Sequence, residues 1–143
     1  MIRFATSHDL DAIQRCATAA YEIYVRAMGR KPAPMVADFA DLISRNVVWI
    51  IPPHGFIVMY PQAGALHVEN VAVHPDGQGQ GLGQRLMAFA EDHARGLNLS
   101  RITLYTNAKM AGPLKLYPRL GYVETDRRVE DGFDRVYFAK LLI

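Results

Sequence analysis

Glycine occupies positions 77, 79, 81 and 83 in the stretch "HPDGQGQGLGQRL", residues 74–86, and a leucine-bearing helical pattern follows at once. Four of the chain's eleven glycines fall within seven positions at a helix start. Bare backbone in that place suits an anion. The N–H groups of a turn and of a first helical turn converge, and the helix dipole favours negative charge there. Glycine gives access to positive φ and removes the Cβ that would hold oxygens off. A phosphate or pyrophosphate ligand is the chemistry such a cradle serves. The common nucleotide fingerprints are absent. A G-x-G-x-x-G run would need glycine at Leu82 or Gln84, and a P-loop would need Lys and then Ser or Thr after Gly83, where Gln84 and Arg85 stand. A plain strand-to-helix turn is the competing reading, although such turns rarely need four glycines.

A strand must deliver the chain to this turn, and a helix must leave it. "ALHVENVAV" is that strand, ended by Pro75, and alternation puts His67, Glu69, Val71 and Val73 on one face. Leu82, Leu86, Phe89/Ala90 and His93/Ala94 give the helical stripe, closed by Gly96. Upstream, "IRFA" is a short strand, and Thr6 with Asp9 has capping-box spacing. Leu10, Ile13, Ala17, Tyr21, Tyr24 and Met28 mark an amphipathic helix ended by Gly29. Pro32 and Pro34 keep "RKPAPM" irregular, and residues 38–44 make a second short helix. "VVWII" and "GFIVMY" are strands joined at Pro52-Pro53. Downstream, "RITLYT" is a strand, and "KMAGPLKLYPRL" is a helix interrupted at Gly112-Pro113 and strained at Pro118. "GYVETDR" and "FDRVYFAKLLI" close as a hairpin around Asp131-Gly132. The order β-α-α-β-β-β-α-β-α-β-β predicts an α/β fold of mixed (α+β) character, with helices on both faces of the sheet. No linker divides it, so one domain over residues 1–143 is expected.

Composition narrows the function. The 143 residues carry a net charge of +2 and no run of five or six like charges, which argues against nucleic acid as a partner. No apolar run is long enough for a membrane span, and no signal-peptide core follows Met1. The lone Cys16 fits a reducing, cytoplasmic setting and reads as a small buried hydrophobe beside the first helix's stripe. His54, His74 and His93 show no metal-ligand spacing, so no metal is expected.

Read as Q-x-x-G-x-G after "VAVHPD", the run Gln78-Gly79-Gln80-Gly81-Leu82-Gly83 resembles the acetyl-CoA signature of the GNAT superfamily of N-acetyltransferases. "TNAKMAGPLKLYPRLGYVET" looks like that family's second motif, an Asn at a strand end followed by a helix ending in Tyr-x-x-x-Gly-Tyr. Together the two stretches cover residues 66–126. The resemblance implies a mostly antiparallel sheet of about seven strands with splayed central strands. It implies acetyl-CoA as co-substrate and direct transfer to an amine. Amides of Gln78, Gly79, Gln80, Gly81, Gly83 and Gln84 would hold the CoA pyrophosphate. Val71 and Val73 would meet the pantetheine arm through their main chain, with the Val73 amide as oxyanion donor. Asn107 would fix the arm, or alternatively cap a helix before Ala108. Tyr117 matches the family's general acid for the thiolate, although helical spacing with Leu114 and Leu120 also fits a core aromatic.

An attacking ammonium must first lose a proton, since its pKa is near 10.4. Glu69, His67 or a water chain could take it. Glu69 could equally form a cross-strand ion pair, and His67 could be a satisfied histidine. The family's acceptor wall maps onto "YEIYVRAMGRKPAPM". There Tyr21, Tyr24, Met28 and Met35 could line an apolar slot, while Arg26, Arg30 and Lys31 could receive a carboxylate and Glu22 or Asp38 an ammonium. A small-molecule amine is the expected acceptor, because no acidic run is present to recruit a basic peptide, with a protein N-terminus or lysine, or a non-catalytic acyl-CoA-binding sensor, as the alternatives. A homodimer through the last strands is the family default.

Overall fold

Residues 1–142 are described by a computed structural model. The elements follow the chain as β1 (Arg3–Phe4), α1 (Leu10–Met28), α2 (Phe39–Ser44), β2 (Val48–Ile51), β3 (Gly55–Gln62), β4 (Ala65–Val73), α3 (Leu82–Gly96), β5 (Arg101–Asn107), α4 (Ala111–Arg119), β6 (Val123–Glu130) and β7 (Phe133–Leu141). The seven strands form one sheet in the order β1-β2-β3-β4-β5-β7-β6. Every neighbouring pair is antiparallel except β4 with β5.

Local chemistry sets the element ends. The Thr6 N–H donates to the Asp9 carboxylate at 2.8 Å, closing the turn before α1. Gly29 ends α1 in the left-handed conformation, its N–H donating to the Val25 carbonyl at 2.9 Å. The β6–β7 turn has positive φ at both Asp131 and Gly132, as a tight hairpin of the primed type requires. One helix departs from expectation. Gly112 and Pro113 do not interrupt α4, because they fall in its first turn, where a missing N–H costs nothing.

Apolar residues cover both faces of the sheet. Leu86, Met87, Ala90 and Ala94 of α3 pack with Tyr117 of α4 against Ile57, Met59, Leu66, Val68, Ile102 and Leu104. On the opposite face, Ile13, Ala17 and Tyr21 of α1 and Phe39 and Leu42 of α2 pack against Val48, Ile50, Phe56 and Val58. Trp49 and Ile51 join the first cluster and Val48 and Ile50 the second, so β2 is buried on both sides.

Two features of β4 shape the centre. Its partners on β3 jump from Asn70↔Val58 to Val68↔Met59, so Glu69 is the extra residue of a β-bulge. The pairing with β5 covers only Leu66↔Ile102, His67↔Thr103 and Val68↔Leu104. Beyond Val68 the two strands part. The bulge breaks the predicted alternation. Val71 and Val73 pack with the α3 cluster, as Leu66 and Val68 do, whereas His67 and Glu69 turn to the other face.

Gly77 marks a close approach between the β4–α3 turn and the residues before β3. A Cβ there would lie 2.8 Å from His54 Cγ and nearer still to its Cβ. Gly77→Ala is therefore expected to lower unfolding free energy by about 1–3 kcal/mol, measured by urea titration.

Candidate active site

The parting of β4 and β5 opens a cleft of about 630 Å³, part of it open to solvent. Glu69, Asn70 and Val71 line one wall, Tyr105, Thr106 and Asn107 the other. Tyr117 closes it from α4, Tyr21 and Met28 from α1, and Arg135 from β7. Glu69, Val71, Asn107, Tyr117, Tyr21 and Met28, dispersed through the sequence, thus meet at one place.

The main chain of β4 supplies unpaired donors there. Just past the strand, the His74 N–H donates to the His54 carbonyl at 2.7 Å, which faces it towards β3. Successive residues of a strand point their N–H and C=O groups to opposite sides. Ala72 therefore faces β3, and Val71 and Val73 face the gap. Their carbonyls have partners. The Tyr21 hydroxyl lies 3.0 Å from the Val71 carbonyl, and the Gln78 amide donates to the Val73 carbonyl at 3.3 Å. Their N–H groups have no β5 partner, because pairing with β5 ends at Val68.

Polar side chains keep the gap open. The single proton of the Tyr21 hydroxyl is shared between Asn70 Oδ1, at 2.7 Å, and the Val71 carbonyl. Asn70 Nδ2 donates to the Pro34 carbonyl at 3.0 Å. Asn70, absent from the sequence-based candidates, thus ties α1, β4 and the α1–α2 connection together. A lone Asn in an apolar strand was the available signal, since Asn is depleted there. Tyr21 is a brace through its hydroxyl as well as a wall of the cleft.

Tyr117 is only 6% exposed, and burial raises its hydroxyl pKa well above the ordinary tyrosine value. That hydroxyl bonds to no protein atom among the described residues. No side-chain oxygen there is both buried and without a partner, so it opens into the cleft. Glu69 accepts a hydrogen bond from the Tyr60 hydroxyl at 2.8 Å. His67 stays out of the cleft. It is 8% exposed, bonds Thr103 Oγ1 through Nδ1 at 3.0 Å and stacks on Tyr105. Burial holds it below the usual imidazole range, with Glu69 pulling the other way. Asn107 does not cap a helix. Its Oδ1 accepts from the Lys109 N–H at 2.9 Å in a local turn, and Met110 is the residue before α4.

The glycine turn leads from the outer end of β4 into α3. Gly79 and Gly81 have φ of +83° and +74°, and a Cβ on either would meet no protein atom within 4 Å. Gly81 is the N-cap of α3, with no side chain capping the helix. The first intrahelical bond comes from the Arg85 N–H at 3.0 Å, so the amides of Leu82, Gly83 and Gln84 precede the ladder. Gln78, Gln80 and Gln84 are exposed at its rim.

Several expected acceptor residues lie elsewhere. Tyr24 sits against the start of α4, its hydroxyl 3.0 Å from where a Gly112 Cβ would stand, and Met35 packs with the α1–α2 core. Arg30 is not in the cleft lining and reaches the β6–β7 hairpin, its guanidinium 3.9 Å from the Phe133 ring and donating to the Asp131 carbonyl at 3.0 Å. Cys16 is buried with its thiol pKa raised to about 11 by desolvation. Among the described residues no group of acidic, His or Cys side chains is placed to hold a metal, and no helix is long and apolar enough to cross a membrane.

Residues 44–124 match the model of the acetyltransferase (GNAT) domain. The chain belongs to the GNAT acetyltransferase family. Over 76 residues it is 36% identical to a mycothiol acetyltransferase of Tsukamurella paurometabola, a match covering 53% of this chain and 26% of that protein. A mycothiol acetyltransferase of Pseudarthrobacter chlorophenolicus is 36% identical over 81 residues, 57% of this chain and 24% of that protein. The matches thus span about a quarter of these relatives' length. The fold matches the PaiA N-acetyltransferase of Thermoplasma acidophilum in complex with coenzyme A, with TM-score 0.77, 14% identity and 99% and 98% of the two chains covered. It also matches the ribosomal-protein-S18-alanine N-acetyltransferase of Escherichia coli, with TM-score 0.71, 21% identity and 99% and 93% covered. The seven-stranded sheet with parted central strands is therefore the GNAT fold.

The folded chain resists protonating His67, while an unfolded histidine takes a proton near pH 6.5. The stability present above about pH 6.5 is lost as pH falls towards the folded-state value. His93, likewise held low by burial, adds to the same loss. Urea titrations at about pH 7.5 and 5.5 should show the decline, and His67→Gln should shrink it without removing the His93 part.

Proposed function

We propose that this chain transfers an acetyl group from acetyl-CoA directly to the primary amine of a small molecule. The observation that carries the reading is the pair of gap-facing N–H groups on Val71 and Val73, set between an uncapped glycine turn and the Tyr117 hydroxyl. A long ligand with an anionic end and an amide-bearing arm suits that layout. Amides from Gln78 to Gln84, through Gly79, Gln80, Gly81 and Gly83, receive the diphosphate. Val73 and Asn107 meet the arm. The oxyanion role moves from Val73 to Val71, because Val71 lines the cleft with Tyr117 and Val73 does not. Such a donor is typically worth about 3–4 kcal/mol in acyl transfer.

Glu69, directly or through water, takes a proton from the ammonium. The free amine attacks the thioester carbonyl carbon, and the Val71 amide steadies the charge on its oxygen. The C–S bond breaks, Tyr117 gives its proton to the departing thiolate, and the second proton shed by the nitrogen as the amide forms restores the Tyr117 hydroxyl. A hydroxyl with a raised pKa stays protonated at neutral pH, as this step requires. His67 is set aside as the base, because it is bonded to Thr103 and lies outside the cleft. Tyr21 and Met28 wall the acceptor side. Relatives named mycothiol acetyltransferase support a small-molecule acceptor. The buried free Cys16 is consistent with a cytoplasmic setting.

Two variants separate the parts. Tyr117→Phe should lower kcat by about a hundredfold or more and leave KM for acetyl-CoA within about twofold, read by thiol release. Gly81→Val, a β-branched residue at φ +74°, should abolish the calorimetric heat of acetyl-CoA binding. Unchanged turnover in Tyr117→Phe would remove its role as acid, and undiminished binding in Gly81→Val would remove the turn as the diphosphate site.

A further inference from the structure

Among the described residues, two charged side chains of opposite sign line the cleft, Glu69 from β4 and Arg135 from β7, and every other lining residue is uncharged. Arg135 is the cross-strand partner of Asn107, at the end of β5 where the cleft opens. Its side chain is 15% exposed. Aromatic rings fix the guanidinium, with Cζ 4.5 Å from the Tyr105 ring centroid and 5.6 Å from that of Phe133.

The protein satisfies this cation poorly. Its carboxylate neighbour is Glu130, 3.5 Å from Nη1, wider than the roughly 2.7–2.9 Å of a charge-assisted hydrogen bond. That same Glu130 oxygen accepts the Tyr137 hydroxyl, and Arg128 faces the other carboxylate oxygen at 4.0 Å. One carboxylate is thus divided among three donors. Arg135 completes no well-formed hydrogen bond to a protein atom among the described residues. No side-chain nitrogen there is both buried and unpartnered, so its donors are not sealed in the core. An oriented, largely buried fork with spare donors faces a lining whose other charged residue is Glu69.

We propose that Arg135 binds a carboxylate on the acceptor, so that the acceptor is a small amino carboxylate, a primary amine and a carboxylate in one molecule. This rests on the acetyl-transfer reading of the cleft. The planar guanidinium matches a carboxylate through two parallel hydrogen bonds, and stacking on Tyr105 holds its plane for that contact. Glu69 across the gap complements the ammonium end before its proton leaves. A polyamine would present a second positive charge to Arg135. An amino carboxylate presents one charge of each sign to its complement. Arg135 supplies the carboxylate contact that the sequence suggested for Arg26, Arg30 or Lys31.

The test compares amino acids with their own primary amides as acceptors, followed by thiol release from acetyl-CoA. In the unmodified chain the acids should have kcat/KM at least about tenfold above the amides. Arg135→Met should erase that difference by raising KM for the acids, with KM for acetyl-CoA unchanged, and Arg135→Lys should restore part of it. Equal kcat/KM for acid and amide in the unmodified chain, or an equal loss for both in Arg135→Met, overturns the proposal. Circular dichroism melting checks the fold of the variants, and where Arg135→Met does not fold, Arg135→Gln takes its place. If no amine is turned over, the acetyl-transfer reading fails and calorimetry with N-acetyl amino acids decides the subsite. Heat with the unmodified chain that Arg135→Met loses supports it, and no heat with either overturns it.

Discussion

The early end of the β4–β5 pairing is the constraint on which the rest depends. Main-chain N–H and C=O groups inside a sheet must find partners, and a missing ladder leaves them exposed to that demand. Here three register pairs join the strands and then stop at Val68↔Leu104, in the middle of the sheet. The carbonyls freed on β4 are met by side chains, that of Val71 by Tyr21 and that of Val73 by Gln78. The amides are left pointing into the gap between the strands. A gap that would be a defect in a purely structural sheet becomes a row of donors for a ligand.

Both sides of the gap are held so that it neither zips shut nor spreads. On β4, the bulge at Glu69 redirects the strand, and the Tyr21–Asn70–Pro34 chain of hydrogen bonds anchors the far side to α1 and its following loop. On β5, pairing with β7 continues through Asn107↔Arg135, beyond the point where β4 has left. The two apolar layers do the remaining work. Residues from α3 and α4 support one face of the parted strands, and residues from α1 and α2 support the other. Tyr117 belongs to the first layer through its ring contacts with Tyr122 and Phe138. Its hydroxyl is delivered to the cleft by the same packing that buries the ring.

The elements were legible because their signals are local. Gly29 ended α1, Asp131-Gly132 turned the last hairpin, and the apolar period of three and four residues marked α1 and α3. The glycine turn was readable too, although its four glycines serve different needs. Gly77 yields space to His54, whereas Gly79 and Gly81 supply left-handed backbone. What strict alternation concealed was the bulge. "ALHVENVAV" carries no glycine or proline at residue 69, so His67, Glu69, Val71 and Val73 read as one face. The register with β3 decides otherwise, and register is a tertiary property. Arg135 escaped notice for a related reason. In "FDRVYFAK" it is an ordinary alternating polar residue, and only the sheet order brings β7 beside β5 and puts its guanidinium at the cleft.

The central claim is that main-chain amides freed by the parting strands, together with those of the glycine turn, are the contacts for coenzyme A. Backbone amide NMR during titration with coenzyme A reads those atoms one by one. The Val71 and Val73 amides and those of residues 78–84 should move most, with the paired β2 amides still. Binding that leaves Val71, Val73 and the glycine turn unmoved, or no binding at all, would contradict it.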